Sequence, residues 1–150
     1  MPDDARLEIL HYPDPFAVNS LADDRVVVSR LHWRGWKILL TADAGMGTEQ
    51  RMLDALTDVS SDVIIAGRHR DDITLCDRFV ERVNPRVIIT SNAVHPEGEA
   101  VPADTIAYWK SRGIRVVDQR ESGGVILRVN KDGSLHIAGF LGPEPIVMRH

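Results

Sequence analysis

Three short apolar runs, each ending in a cluster of polar residues, constrain this chain more than any other feature. Trp36 to Leu40 runs into Thr41-Ala42-Asp43. Asp62 to Ala66 runs into Gly67-Arg68-His69-Arg70-Asp71, and Pro85 to Thr90 ends in Ser91-Asn92 with His95-Pro96 just beyond. Short β-branched runs bounded by turn residues read as buried strands. Between them lie helical patterns. Thr48 to Val59 carries Met52, Leu53, Leu56 and Val59 on one stripe, with Thr48 as its N-cap; Thr74 to Val83 turns Leu75, Phe79, Val80 and Val83 inward. Alternating strands and helices predict an α/β (α+β) fold, a mixed β-sheet with flanking helices, whose strand ends collect polar groups at one edge. Asp43 is the first carboxylate past its strand. Ala44, Gly45 and Gly47 follow, small residues that let other groups approach.

The remaining elements fit around this unit. Leu7 to Tyr12 reads as a short strand broken by Pro13-Asp14-Pro15, and the segment to Asp24 as a loop. Arg25 to Leu31 and Trp33 to Leu40 form a hairpin around Arg34-Gly35. Pro102 opens a third helix and Gly113 closes it. Arg115 to Val117, Gly124 to Val129 and Ser134 to Ala138 read as strands, the last two joined by a turn at Lys131-Asp132-Gly133. Asp118-Gln119 reads as orienting a ligand or, the preferred reading, as capping the Glu121-to-Gly124 turn, and Pro143-Glu144-Pro145 as a loose tail. No repeat or low-complexity segment interrupts a single domain over 1–150.

Composition narrows the function classes. Hydrophobic residues make up 43% and charged residues 27% of the 150, which is an ordinary globular balance rather than a disordered one. A net charge of −4 argues against DNA binding by bulk charge. It leaves room for a local basic strip of Arg68, Arg70, Arg78, Arg82 and Arg86. One cysteine, Cys76, excludes an internal disulfide and cysteine-pair metal motifs, and its apolar neighbours Leu75 and Phe79 mark a buried structural thiol. The N-terminal stretch lacks the apolar core of a signal peptide, and no apolar run approaches a membrane span. His11, His32 and His136 read as packing or surface histidines. Trp33 and Trp36 flank the Arg34-Gly35 turn, where cross-strand packing outweighs stacking on nucleic-acid bases. No nucleophile elbow or phosphate loop accompanies Ser91 and Asn92.

The order LLTADAG, DVIIAGRHRDD, FVERVNPRVIITSN, then SRGIRVVDQRESGGVILRV resembles the C-terminal half of the metallo-β-lactamase-like domain of ComEC-type competence proteins, which internalise DNA in bacterial transformation. The upstream LEILHYPDP and SLADDRVVVSRLHWRGWKILLTAD also fit that family's pattern, so the resemblance spans roughly residues 7 to 138. It implies one half of an αββα sandwich. It also implies a hydrolytic site holding zinc or manganese, with Asp43 and His69 as catalytic groups, Asp43, His69 and His95 as metal ligands, and Asn92 and Arg68 contacting substrate. A lone half would expose a sheet face, which implies a homo-oligomer or a missing N-terminal half-domain as partner. DNA is the implied substrate, and a bacterial membrane channel the implied neighbour.

The departures from the pattern are chemical. Ala42 stands where the family has the glycine before its aspartate. Arg68-His69 replaces a histidine pair, and Arg70-Asp71 replaces Gly-Ser. His95-Pro96 keeps the family's dipeptide, although spacing to the next helix puts Val101-Pro102 there. The first metal motif, His-x-Asp/His-x-Asp-His, is absent from the chain. A hydrolytic metal needs several fixed ligands and an open water position. Arg68 and Arg70 place positive charge beside His69, unless Asp71 and Asp72 pair with them. Two functions follow from this pattern: a catalytically degenerate domain kept as a scaffold or interaction module, or a metal-dependent phosphodiesterase or nuclease half-domain.

Overall fold

The computed structural model describes residues 4–13, 25–91, 100–142 and 144–150. It is an α/β protein with a mixed six-stranded sheet, a small antiparallel sheet and four helices. In chain order these are β1 (Ala5–His11), β2 (Val28–Trp33), β3 (Trp36–Ala42), α1 (Met46–Asp54), β4 (Val63–Ala66), α2 (Asp77–Val83) and β5 (Val87–Thr90). Then come α3 (Ala103–Ser111), β6 (Arg115–Asp118), α4 (Gln119–Ser122), β7 (Val125–Val129), β8 (Leu135–Gly139) and β9 (Ile146–Met148).

The large sheet keeps chain order, β1 to β6. Its first two joints are antiparallel and its last three parallel. The β2–β3 joint is a two-residue hairpin with Arg34 and Gly35 both at positive φ, the geometry that matches strand twist. Trp33 faces Trp36 across it. Parallel neighbours in chain order need crossovers of one hand, which puts α1, α2 and α3 on one face.

Period-2 alternation then sorts the strands' side chains. Leu39, Ile64 and Ile88 pack against Met52, Phe79, Val80 and Trp109 on the helix side. Ile38, Val63, Val87 and Ile89 pack with Val129, Leu135, Ile137 and Met148 of the small sheet on the other. The face that a lone half-sandwich was expected to expose is therefore covered in large part, by β7, β8 and β9 rather than by helices.

Several boundaries differ from the sequence reading, each for a tertiary reason. Thr48 does not cap α1: Gly45 holds the N-cap in extended backbone, and Thr48 is buried in the first turn. The helix stops at Asp54 because Leu56 turns to φ 54°, and Leu56, expected on the apolar stripe, is 84% exposed. α2 begins at Asp77 instead of Thr74, because Leu75 sits at φ 62° with its N–H turned to a side chain of α1. The turn after Asp118 is helical, with Asp118 Oδ1 accepting from Arg120 N at 3.0 Å. Beyond Pro145 the chain returns as β9, whose Met148 is fully buried.

Candidate functional site

β3, β4 and β5 end together at the carboxyl edge of the sheet, and their exits are stitched to one another. Gly67 N donates to Ala42 O at 2.7 Å, and Ser91 N donates to Ala66 O at 2.7 Å. Asp43 leaves β3 exposed to solvent. A Cβ on Gly67 would lie 2.0 Å from Asp43 Oδ1, so the carboxylate occupies the space that a side chain at 67 would take. Asp43, Gly67 and Ser91 line a cleft of about 250 Å³ together with Val27, Leu40 and Ile65. Ala42 sits at φ 49° next to a register break between Leu40 and Ala42. That is the left-handed region, where glycine is unstrained and alanine is not.

The 67–76 loop returns to α1 and is fastened there. Met46 N donates to Ile73 O at 2.7 Å, and Gly47 N to Asp72 Oδ2 at 3.1 Å. Thr74 Oγ1 accepts from His69 N at 3.0 Å and donates to Ala44 O at 3.3 Å. Gly45 makes room for this: a Cβ there would meet Asp72 Oδ2 at 2.7 Å and His69 Cδ2 at 2.9 Å. Asp72 spends its oxygens on the backbone N–H groups of Gly47 and Ile73. Arg68 directs Nη1 to Ala100 O at 3.3 Å.

His69 is buried, and its Nδ1 accepts from the Asp71 backbone N–H at 3.2 Å. A backbone N–H aimed at Nδ1 engages that lone pair and places the ring proton on Nε2. A metal-ligating histidine has the opposite arrangement, donating from one ring nitrogen so that the other offers a lone pair. The structure thus brings Asp43 and His69 to one edge of the sheet but holds His69 in the wrong tautomer for Nε2 ligation. Among the described residues no group of three or more His, Cys, Asp or Glu side chains is arranged to hold a metal ion. The residues described do not fit the zinc or manganese site that the resemblance implies. Asn92 and His95 lie outside the described residues.

The other sequence candidates divide similarly. Arg68 and Arg70 follow β4 at the carboxyl edge, whereas Arg86 precedes β5 at the opposite edge, donating to Arg149 O and lying over the Trp36 ring. Arg68 and Arg70 therefore share no strip with Arg86, although the composition leaves room for one. Trp36 is fully buried, donates Nε1 to Gly133 O at 2.9 Å and stacks on His150, so its ring presents no face to a nucleic-acid base. Cys76 is half-buried rather than buried, and its thiol is pushed up to about 12 by desolvation and by the neighbouring Glu49 carboxylate, so it stays protonated and is no nucleophile.

Glu49 is the residue that sequence reasoning passed over. Only 1% exposed, it accepts from Leu75 N at 2.8 Å and Cys76 N at 2.9 Å, tying α1 to the start of α2. Burial, with Asp72 nearby adding like charge, pushes its carboxyl up to about 7 despite those donors. The only sequence signal was its position one turn before Met52 and Leu53 on the buried face.

No family model matches the chain, and no curated protein matches it. Among the described residues no helix is long and apolar enough to cross a membrane.

Proposed function

We propose that this chain is a metallo-β-lactamase-like half-domain related to the ComEC-type DNA-uptake proteins, with its hydrolytic chemistry lost and its role that of a scaffold or interaction module. The observation that carries the loss of chemistry is the His69 ring, whose Nδ1 accepts a backbone N–H and whose proton is thereby held on Nε2. The fastening of Asp72 and Thr74 to α1 supports it, because it makes the loop a structural strap. The family origin itself rests on the motif order from LLTADAG to VVDQRESGG. A six-stranded sheet with helices on one face and a second sheet on the other is compatible with half of an αββα sandwich. In this reading the partners are the missing half-domain, a second copy or a membrane channel, and DNA is a neighbour rather than a substrate.

Elemental analysis after dialysis against trace zinc and manganese tests the reading, with Asp43→Ala as control. The expected result is far less than one equivalent of metal in both proteins. Near-stoichiometric metal that disappears with Asp43→Ala would restore the nuclease half-domain and make DNA cleavage the next assay.

A further inference from the structure

The two rims of the six-stranded sheet are unlike. β6 has four residues and runs directly into α4. β1 has seven, and among the described residues no strand pairs with its outer side. A long edge strand is a template for another strand, and proteins guard such edges with lysine, proline or brevity. The β1 sequence, ARLEILH, has neither lysine nor proline, and its guards, the charges of Arg6 and Glu8 and a register break before His11, leave the ladder from Ala5 to Ile9 regular.

The hydrogen bonding of β1 shows which groups face outward. Asp4 O accepts from Arg34 N, so Asp4 turns its backbone toward the hairpin. By alternation Arg6 and Glu8, opposite His32 and Arg30, do the same. Ala5, Leu7 and Ile9 therefore point their N–H and C=O groups to the outer rim, which no strand pairs among the described residues. The regular ladder runs from Ala5 to Ile9 and is broken before His11, which makes it symmetric about Leu7. Leu7 and Ile9 share one face and are 47% and 53% exposed.

We propose that a second copy of this chain pairs with β1, antiparallel, about a two-fold axis centred on Leu7. Leu7 then meets its twin, Ile9 meets the partner's Ala5, and Arg6 stands opposite the partner's Glu8. Charge selects this register. Centring on Arg6 or on Glu8 would oppose like charges, and a slip of one residue would turn the apolar side chains to the wrong face. Glu8 already accepts from Arg30 and lies 2.7 Å from His32 Nε2, and the partner's Arg6 adds a cation to that carboxylate. Such an interface is isologous and closes at two copies. The proposal does not depend on the family reading.

Sedimentation equilibrium at concentrations up to about 0.1 mM tests it, that range detecting micromolar association. The wild-type chain is expected to be a dimer. Leu7→Lys, which opposes two cations at the axis, is expected to be a monomer with an unchanged circular dichroism spectrum. Arg6→Glu, on an exposed side chain, weakens the dimer on the order of tenfold and guards against misfolding of the first variant. Ile126→Lys, on the outer face of the small sheet, leaves the dimer intact. A monomeric wild-type chain, or a dimer that both β1 variants leave unchanged, overturns the proposal.

Discussion

Two carboxylates flank Gly45, and the fold treats them in opposite ways. Asp43 stands at the strand edge in solvent, in a space that Gly67 leaves open. Glu49 is buried, with both oxygens accepting backbone N–H groups from the start of α2. The one that looks chemical from its place in the sequence is the exposed one. The one that looks like an ordinary helix glutamate fastens the 67–76 loop. A carboxylate's role follows from which orphaned donors it meets, and those donors come from the other end of the loop.

The comparison breaks most directly at Glu49. Glu49→Ala leaves Leu75 N and Cys76 N buried without an acceptor, at about 2 kcal/mol each. We expect a loss of about 4 kcal/mol in urea unfolding. A loss below that of an ordinary surface substitution would mean that the α1–α2 tie is not structural.

The pH dependence is the next largest effect. Glu49's carboxyl is raised from 4.5 to about 7 in the fold, so the folded state holds a proton that the unfolded chain releases. Its contribution to stability is complete below pH 4.5 and declines as pH rises toward 7. The decline amounts to about 3 kcal/mol, at about 1.4 kcal/mol per unit. His11, held low by burial and by Arg51, works in the opposite direction just below its ordinary value. The clean measurement is therefore the difference between the wild type and Glu49→Gln across that window, in which His11 cancels. A flat difference would show that Glu49 stays ionised throughout.

These effects also mark how much was legible. The strands were, because Val63 to Ala66 and Val87 to Thr90 are β-branched runs whose burial requires nothing beyond neighbouring strands. The convergence of Asp43 and His69 at one edge followed from strand order. The helix starts were not legible. Thr48 looks like a cap by residue type, but the loop reaching back at Ile73 sets the start of α1 at Gly45, and Glu49 delays α2 to Asp77. Such donors are distant in sequence and leave no local pattern. Ile146 to Met148, three residues beyond a proline-rich turn, carried too little periodicity to be read as β9. The tautomer of His69 depends on a backbone N–H two residues on, which only the loop's conformation reveals.

Gly67 leaves the space that the Asp43 carboxylate occupies. Gly67→Ala forces Asp43 out of the space it fills, and an overpacked site of this kind costs about 2 kcal/mol. The double variant Gly67→Ala with Asp43→Ala should recover about half of that, which a double-mutant cycle measures. Purely additive losses would place the strain in the backbone near Ala42 O instead. At Ala42 itself, the positive φ makes Ala42→Gly stabilising by about 1 kcal/mol, read as a higher urea midpoint with an unchanged slope.

The smallest expected effect sharpens the comparison most. Asp43→Ala should change stability by less than about 0.5 kcal/mol, because an exposed carboxylate at a strand end contributes little to the fold. The same substitution in a working metal site would release bound cation and shift the unfolding midpoint in its presence. Unfolding the wild type and Asp43→Ala with and without zinc therefore separates a side chain that merely occupies the cleft from one that holds an ion. Four coincident curves are expected. A zinc-dependent gap that vanishes with Asp43→Ala would mean that the His69 ring proton moves from Nε2 to Nδ1, freeing the Nε2 lone pair for a metal, and that the strap holding its loop yields to ligation.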